Sequence, residues 1–217
     1  MKKHISIIFI LICLLTTFSL SADATLTTGK ARRTFKISNF TIDSDLQLQS
    51  FLVGFGIDNQ SSLNLELTQS NGDKGINFFS PDDFSSSFVD VAYELDGPMI
   101  DLSYQYIPRN TFFVTPNSLS ALKIGLRHYQ IEAIKYNESH EGTMALLGLV
   151  SRSRKENFNL FSDFNISYDF DELWLFDSQV GLEYEFEENF HLQLSYKVIA
   201  SSDTSEGGPA LGVVFQY

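Results

Sequence analysis

The sequence predicts an all-β protein: a transmembrane antiparallel up-and-down β-barrel of eight to ten strands. Three observations predict it. Apolar and polar residues alternate with a period of two along most of the chain, and helical periodicity is nearly absent. The alternating segments run about nine to twelve residues, which matches a tilted bilayer crossing. Aromatic residues fall near their ends (Tyr93, Tyr104, Tyr106, Tyr168, Tyr184, Phe186, Phe190, Tyr196, Tyr217), where membrane interfaces would lie. A soluble sandwich also alternates, with its apolar rows inward. Strand length and aromatic placement favour the barrel.

The first 24 residues read as a cleaved signal peptide. Lys2 and Lys3 form a positive n-region, Ile5 to Leu20 an apolar core, and Ala22-Asp23-Ala24 the small-x-small cleavage pattern. Cutting after Ala24 leaves 25–217 as a single barrel domain. The lone cysteine, Cys13, lies in the leader. A lipoprotein signal would need a small residue where Ile12 stands. The mature chain then has no thiol, which excludes cysteine catalysis and Cys-based zinc sites. Removing Lys2, Lys3 and Asp23 leaves 13 basic and 26 acidic residues, a formal charge of −13. That balance argues against nucleic acid as a partner. The longest later apolar run, Met144 to Val150, is far too short for a membrane helix, so strands must do any spanning.

Taken in order, the candidate strands begin with Thr34 to Ile42, where Phe35, Ile37, Phe40 and Ile42 are apolar. Phe51, Val53, Phe55 and Ile57 alternate with Leu52, Gly54 and Gly56, then Leu63, Leu65 and Leu67 with Asn64, Glu66 and Thr68. Val89, Val91, Tyr93 and Leu95 alternate with Asp90, Ala92 and Glu94, and Ile100, Leu102, Tyr104 and Tyr106 with Asp101, Ser103 and Gln105. Leu122, Ile124 and Leu126 alternate with Lys123, Gly125 and Arg127, but the phase slips before Tyr129, which suggests a bulge. Phe164, Ile166 and Tyr168 alternate with Asp163, Asn165 and Ser167. Val180, Leu182, Tyr184 and Phe186 lead through a tight turn at Glu187-Glu188-Asn189 into Phe190, Leu192, Leu194, Tyr196 and Val198.

Short turns are expected at Asp58–Ser62, Asp96–Pro98, Arg154–Asn157 and Glu187–Asn189. Longer outer loops are expected at Ser70–Ser87, Pro108–Thr143, Asp169–Glu172 and Ser201–Gly208, with Leu122–Tyr136 a strand-rich excursion inside the second. Short turns on one side and long loops on the other is the outer-membrane arrangement.

The last segment carries a resemblance. Pro209-Ala-Leu-Gly-Val-Val-Phe-Gln-Tyr217 resembles the terminal β-signal of small outer-membrane β-barrel proteins of Gram-negative-type bacteria, with Leu211, Val213, Phe215 and Tyr217 at the alternate apolar positions. Val180 to Tyr196 resembles the penultimate hairpin of such barrels. The resemblance implies residence in the bacterial outer membrane, contact with its lipid, and insertion by the barrel assembly machinery with periplasmic chaperones. It sets no oligomeric state and no single activity.

With the apolar rows facing lipid, the opposite rows line a lumen. Glu66, Asp90, Glu94, Asp101, Asp163, Glu183 and Glu185 would face Lys123, Arg127, His191 and Lys197. Both signs are present and the barrel is narrow, so a paired structural network is favoured over a cation-favouring pore. Ser139-His140-Glu141 holds triad residue types, but neighbours in one loop do not converge as a nucleophile and base must. His128 near Glu132 is too common a pairing to indicate a site. The acidic stretches Asp82-Asp83, Asp169-Phe-Asp171-Glu172 and Asp203 with Glu206 lack the spacing of a calcium loop. No cofactor fingerprint occurs. The expected role is a barrel without catalysis that acts through its outer loops or in envelope structure. The alternatives are a narrow channel for small solutes or ions and a soluble periplasmic β-protein binding an apolar ligand.

Overall fold

The structure is a computed structural model that describes residues 32–43, 46–71, 93–95, 97–109, 114–115, 118–133, 138–169, 174–201 and 205–217. The leader lies outside these residues, as do Asp82, Asp83, Asp90, Asp171, Glu172 and Asp203. The strands are β1 (Arg33–Asp43), β2 (Leu46–Gly56), β3 (Ser61–Asn71), β4 (Tyr93–Leu95), β5 (Met99–Tyr106), β6 (Val114–Thr115), β7 (Ser118–Ala133), β8 (Glu138–Lys155), β9 (Phe158–Tyr168), β10 (Trp174–Glu187), β11 (Phe190–Ala200) and β12 (Ser205–Gln216).

Each wall strand pairs antiparallel with its neighbours in chain order, and β1 pairs with β12 from Thr34↔Gln216 to Phe40↔Ala210. The sheet therefore closes into a ten-stranded up-and-down barrel. Its wall is β1, β2, β3, β5 and β7 to β12. Closure leaves no edge among these strands, so their backbone groups pair within the wall.

The register fixes the geometry. From Ile37 the ladder runs through Val213, Leu192, Tyr184 and Phe158 to Lys155 of β8. In the other direction it runs through Phe51, Leu67, Ile100 and His128 to Thr143, twelve residues away on the same strand. A shear of twelve over ten strands, with about 3.3 Å rise and 4.8 Å spacing, tilts the strands about 40° and gives a backbone radius of about 10 Å.

Four expectations are corrected. Asp96–Pro98 is not a hairpin turn: β4 and β5 both pair antiparallel with β7, at Ile131–Ala133 and Leu122–His128, so they lie in line as one interrupted stave. Nor is Leu122–Tyr136 an excursion in an outer loop, since β7 is a full stave hydrogen-bonded to β5 and β8. The β7–β8 register runs unbroken from Ser118↔Ser153 to Ala133↔Glu138, so no bulge lies between Leu126 and Tyr129. The phase slip marks Tyr129 turning inward as a buried aromatic. Finally, the connection after Tyr106 leaves at the short-turn end, where Ile107 N–H donates to the Gln60 carbonyl at 2.8 Å. The other end joins β1 to β2 through positions 44–45 alone and β7 to β8 through 134–137. Connection length therefore does not separate the two ends.

Turns at the first end hold well. Asp58 Oδ1 accepts the backbone N–H groups of Gln60 and Ser61, both at 2.8 Å. The β8–β9 turn places Glu156 at a φ of 55°, in the left-handed region. Outward rows are apolar, with Leu65, Ile124, Leu147, Leu182, Leu194 and Leu211 each about half exposed or more. Aromatics cluster toward the turn end: Phe158 stands 5.0 Å from Tyr184 and Phe190 5.0 Å from Phe215. Two glycines let adjacent strands approach closely. A Cβ at Gly125 would collide with the Leu102 carbonyl oxygen, and one at Gly181 with that of Leu194.

Candidate functional site in the barrel interior

Alternation places every second residue inside, and these side chains are buried although many are polar. Arg127, Glu183, Asn64, Ser62 and Ser167 are almost wholly buried. The inner residues form three zones.

The central zone is built on Arg127. Its Nε and Nη2 donate to Asp101 Oδ1 at 2.7 Å and Oδ2 at 2.6 Å, a two-pronged pair across the β5–β7 ladder. Its Nη1 donates to Asp177 Oδ2 at 2.6 Å. Asp177 in turn accepts the Asn165 amide at 2.9 Å. Beside this strut, Lys123 pairs with Asp163 at 3.4 Å. Lys36 donates to Gln179 Oε1 at 3.1 Å and stands over the Phe161 ring, and Ser50 donates to Glu66. Lys197 reaches the face of Phe40.

Toward the turn end, Arg152 pairs with Glu183 at 3.0 Å and Arg154 with Glu185 at 2.5 Å. Gln193 donates to Glu183 at 3.3 Å. Among the described residues of these two zones, Lys36, Lys123, Arg127, Arg152, Arg154 and Lys197 face Glu66, Asp101, Asp163, Asp177, Glu183 and Glu185. Six positive groups meet six negative ones. Burying charges in a narrow interior is tolerable only under such pairing. Packing is tight enough that some polar atoms, including both ring nitrogens of His191, have neither partner nor solvent.

The third zone, toward the opposite end, is apolar. Phe40, Leu48, Met99, Tyr129, Met144, Leu175, Ile199 and Ala210 pack as one cluster, each no more than 4 % exposed. They come from eight of the ten wall strands and form a seal across the lumen. Above it, Tyr129 Oη donates to Asp169 Oδ2 at 2.6 Å.

Of the residues expected on inner rows, Asp101, Lys123, Arg127, Glu183, His191 and Lys197 are buried, and Glu66 and Glu185 are half-buried. The side chain of Glu94 lies outside the described residues. The Glu94 backbone lies in β4 opposite Glu132, beyond the seal from the network. Asp177, which alternates in phase with Gln179, was missed, as were Lys36, Arg152 and Arg154; Arg154 was expected in the turn Arg154–Asn157 and instead lies in β8 with its side chain on Glu185. The seal was missed too, and Phe40 belongs to it rather than to the outer row of Phe35 and Ile37. Ser139, His140 and Glu141 lie along β8 as consecutive strand residues, so they do not converge on one point. Among the described residues no group of three or more His, Cys, Asp or Glu could hold a metal ion.

No protein-family profile matches the chain, and no curated protein matches it. Solved structures do. The NanC porin structure aligns with a TM-score of 0.50 at 10 % identity, over 84 % of this chain and 98 % of that one. The N-terminal β-barrel domain of Pseudomonas aeruginosa OprF aligns over 88 % of this chain and all of that one, at 16 % identity and a TM-score of 0.41. The outer membrane protease OmpT from Escherichia coli aligns over 86 % and 92 %, at 12 % identity and a TM-score of 0.41. The fold is that of outer-membrane barrels. At such identities the likeness concerns the fold alone.

Proposed function

We propose that this chain is an outer-membrane β-barrel without a catalytic role, acting through its outer loops or in envelope structure, with a lumen closed to solutes. The observation that carries the reading is the interior: a neutral, ion-paired belt beneath an apolar seal drawn from eight strands. A channel needs a continuous wet path, and an apolar constriction opposes water entry. An apolar ligand would need an apolar cavity, whereas the interior below the seal is charged. The outward apolar rows suit lipid, and the signal peptide suits export.

Leu211, Val213, Phe215 and Tyr217 are the proposed assembly signal, read by the barrel assembly machinery. Leu211, Phe215 and Tyr217 are exposed on the outer face. Deleting Tyr217 is expected to reduce the amount of inserted protein several-fold. Normal assembly of the truncation would remove that role.

Cell fractionation combined with electrophoresis of unboiled and boiled protein tests the main reading. Outer-membrane recovery with a heat-dependent shift in mobility is expected. Soluble periplasmic protein without that shift would overturn it. Planar-bilayer recordings are expected to be silent, and steady conductance from folded protein would favour the channel.

A further inference from the structure

One stretch of the outer face breaks the apolar rule. Asn39, Gln49 and Gln69 are register partners on three adjacent strands, β1, β2 and β3, and all three point outward. None of these amides makes a hydrogen bond among the described residues.

Their depth follows from the shear. The two walks from Ile37 meet β8 at Lys155 and Thr143, so the residue level with Ile37 on the opposite wall lies midway, at Leu149. Asn39, two residues further along β1, is therefore level with Leu147, which is 55 % exposed. Gln49 and Gln69 rise about one residue per strand from there, to the heights of Ile166 and Phe176 on the strands opposite them. On the reading of this barrel as a membrane protein, Asn39 and Gln49 sit where the other wall presents Leu147 and Ile166 to hydrocarbon, and Gln69 sits one step higher, level with Phe176. An unpaired amide there is costly.

A second observation adjoins the first. Asn39 also borders a cleft of about 640 Å³ in the outer wall, whose other walls include Ile37, Leu194, Leu211 and Val213. Concavity and amide row form one continuous surface.

We infer that this face of β12, β1, β2 and β3 docks a second copy of the chain, side by side in the membrane about a two-fold axis. A two-fold contact sets a surface against itself. Each amide carries donors and acceptors in equal number, so a row of amides is its own complement. Hydrogen bonds between membrane-embedded side chains contribute favourably to such association. Backbone pairing cannot serve instead, because the wall has no free edge here.

The test uses the whole chain in a Cys13→Ser background, refolded into phosphatidylcholine vesicles. Gln49→Cys, near the proposed axis, is expected to form a disulfide-linked dimer on mild oxidation at least ten-fold more than Leu147→Cys on the opposite wall. In mild detergent, sedimentation is expected to show a dimer for the native chain. The Asn39→Leu, Gln49→Leu, Gln69→Leu variant is expected to be a monomer that keeps its heat-dependent mobility shift. Equal cross-linking at both positions, or an unchanged mass for the triple leucine variant, would overturn the inference while leaving the membrane reading intact. A native chain with no mobility shift would overturn both.

Discussion

Arg127 reaches across the lumen to Asp177, Nη1 to Oδ2 at 2.6 Å, although three strand steps separate β7 from β10. The same guanidinium holds Asp101 on the neighbouring strand β5. One side chain thus ties together distant parts of the wall. Removing it strands two buried carboxylates. Arg127→Met is expected to lower stability by about 3–5 kcal/mol, read by urea unfolding in detergent through Trp174 fluorescence. Adding Asp101→Asn and Asp177→Asn should recover most of the loss. If the single variant unfolds at the native midpoint, the strut carries no weight.

The seal makes a separate prediction. Truncating Leu48, 1 % exposed, to Ala is expected to cost about 2–5 kcal/mol, as in a soluble core. Replacing Leu48, Met144 and Leu175 together by Ser should wet the constriction and give discrete conductance steps in planar bilayers. Continued silence would place the block in the charged belt beneath.

Leu194 and Gln193 are adjacent in β11 and face opposite ways, 57 % and 3 % exposed. Leu194→Arg would set a cation against lipid, a change worth about 2–4 kcal/mol near mid-bilayer. Gln193→Arg would enter the lumen beside Glu183, which already accepts the Gln193 amide. The yield of heat-shifted protein should fall much further for Leu194→Arg. The reverse ranking would invert the two faces.

At the turn end, Asp58 is held below the usual carboxylate range, first by the Gln60 backbone N–H and then by Ser61. A lowered folded value means that the turn's stabilisation is full above the ordinary carboxylate pKa of about 4 and is lost as pH falls through the folded value. Amide exchange at Gln60 and Ser61 should therefore quicken below about pH 4 beyond its intrinsic trend. Asp58→Asn should remove that response.

The outward face was the most legible part of the sequence. Leu63, Leu65 and Leu67, or Leu192, Leu194 and Tyr196, repeat every second residue because lipid asks only for apolarity at those positions. The interior was less legible, because a lumen accepts any residue whose charge and volume are met by neighbours on other strands. Asp177 is unremarkable in sequence until Arg127 is known to reach it. The seal hides for another reason: where Leu175 and Phe176, or Val198 and Ile199, are both apolar, alternation vanishes although both faces are built. The same loss of contrast at Tyr129 imitated a bulge, and the Gly97-Pro98 interruption imitated a turn.

The β1–β12 seam has a consequence for how the chain folds. Arg33 and Tyr217 exchange backbone hydrogen bonds of 2.7 and 3.0 Å, so the two most distant described strands must meet before the wall is complete. Contacts of such sequence separation form slowly, since the entropy of closing that loop is lost before any reward arrives. Until that moment β1 and β12 present two unpaired edges, each able to capture a strand from a neighbouring molecule. Closure is thus a late step that competes kinetically with aggregation.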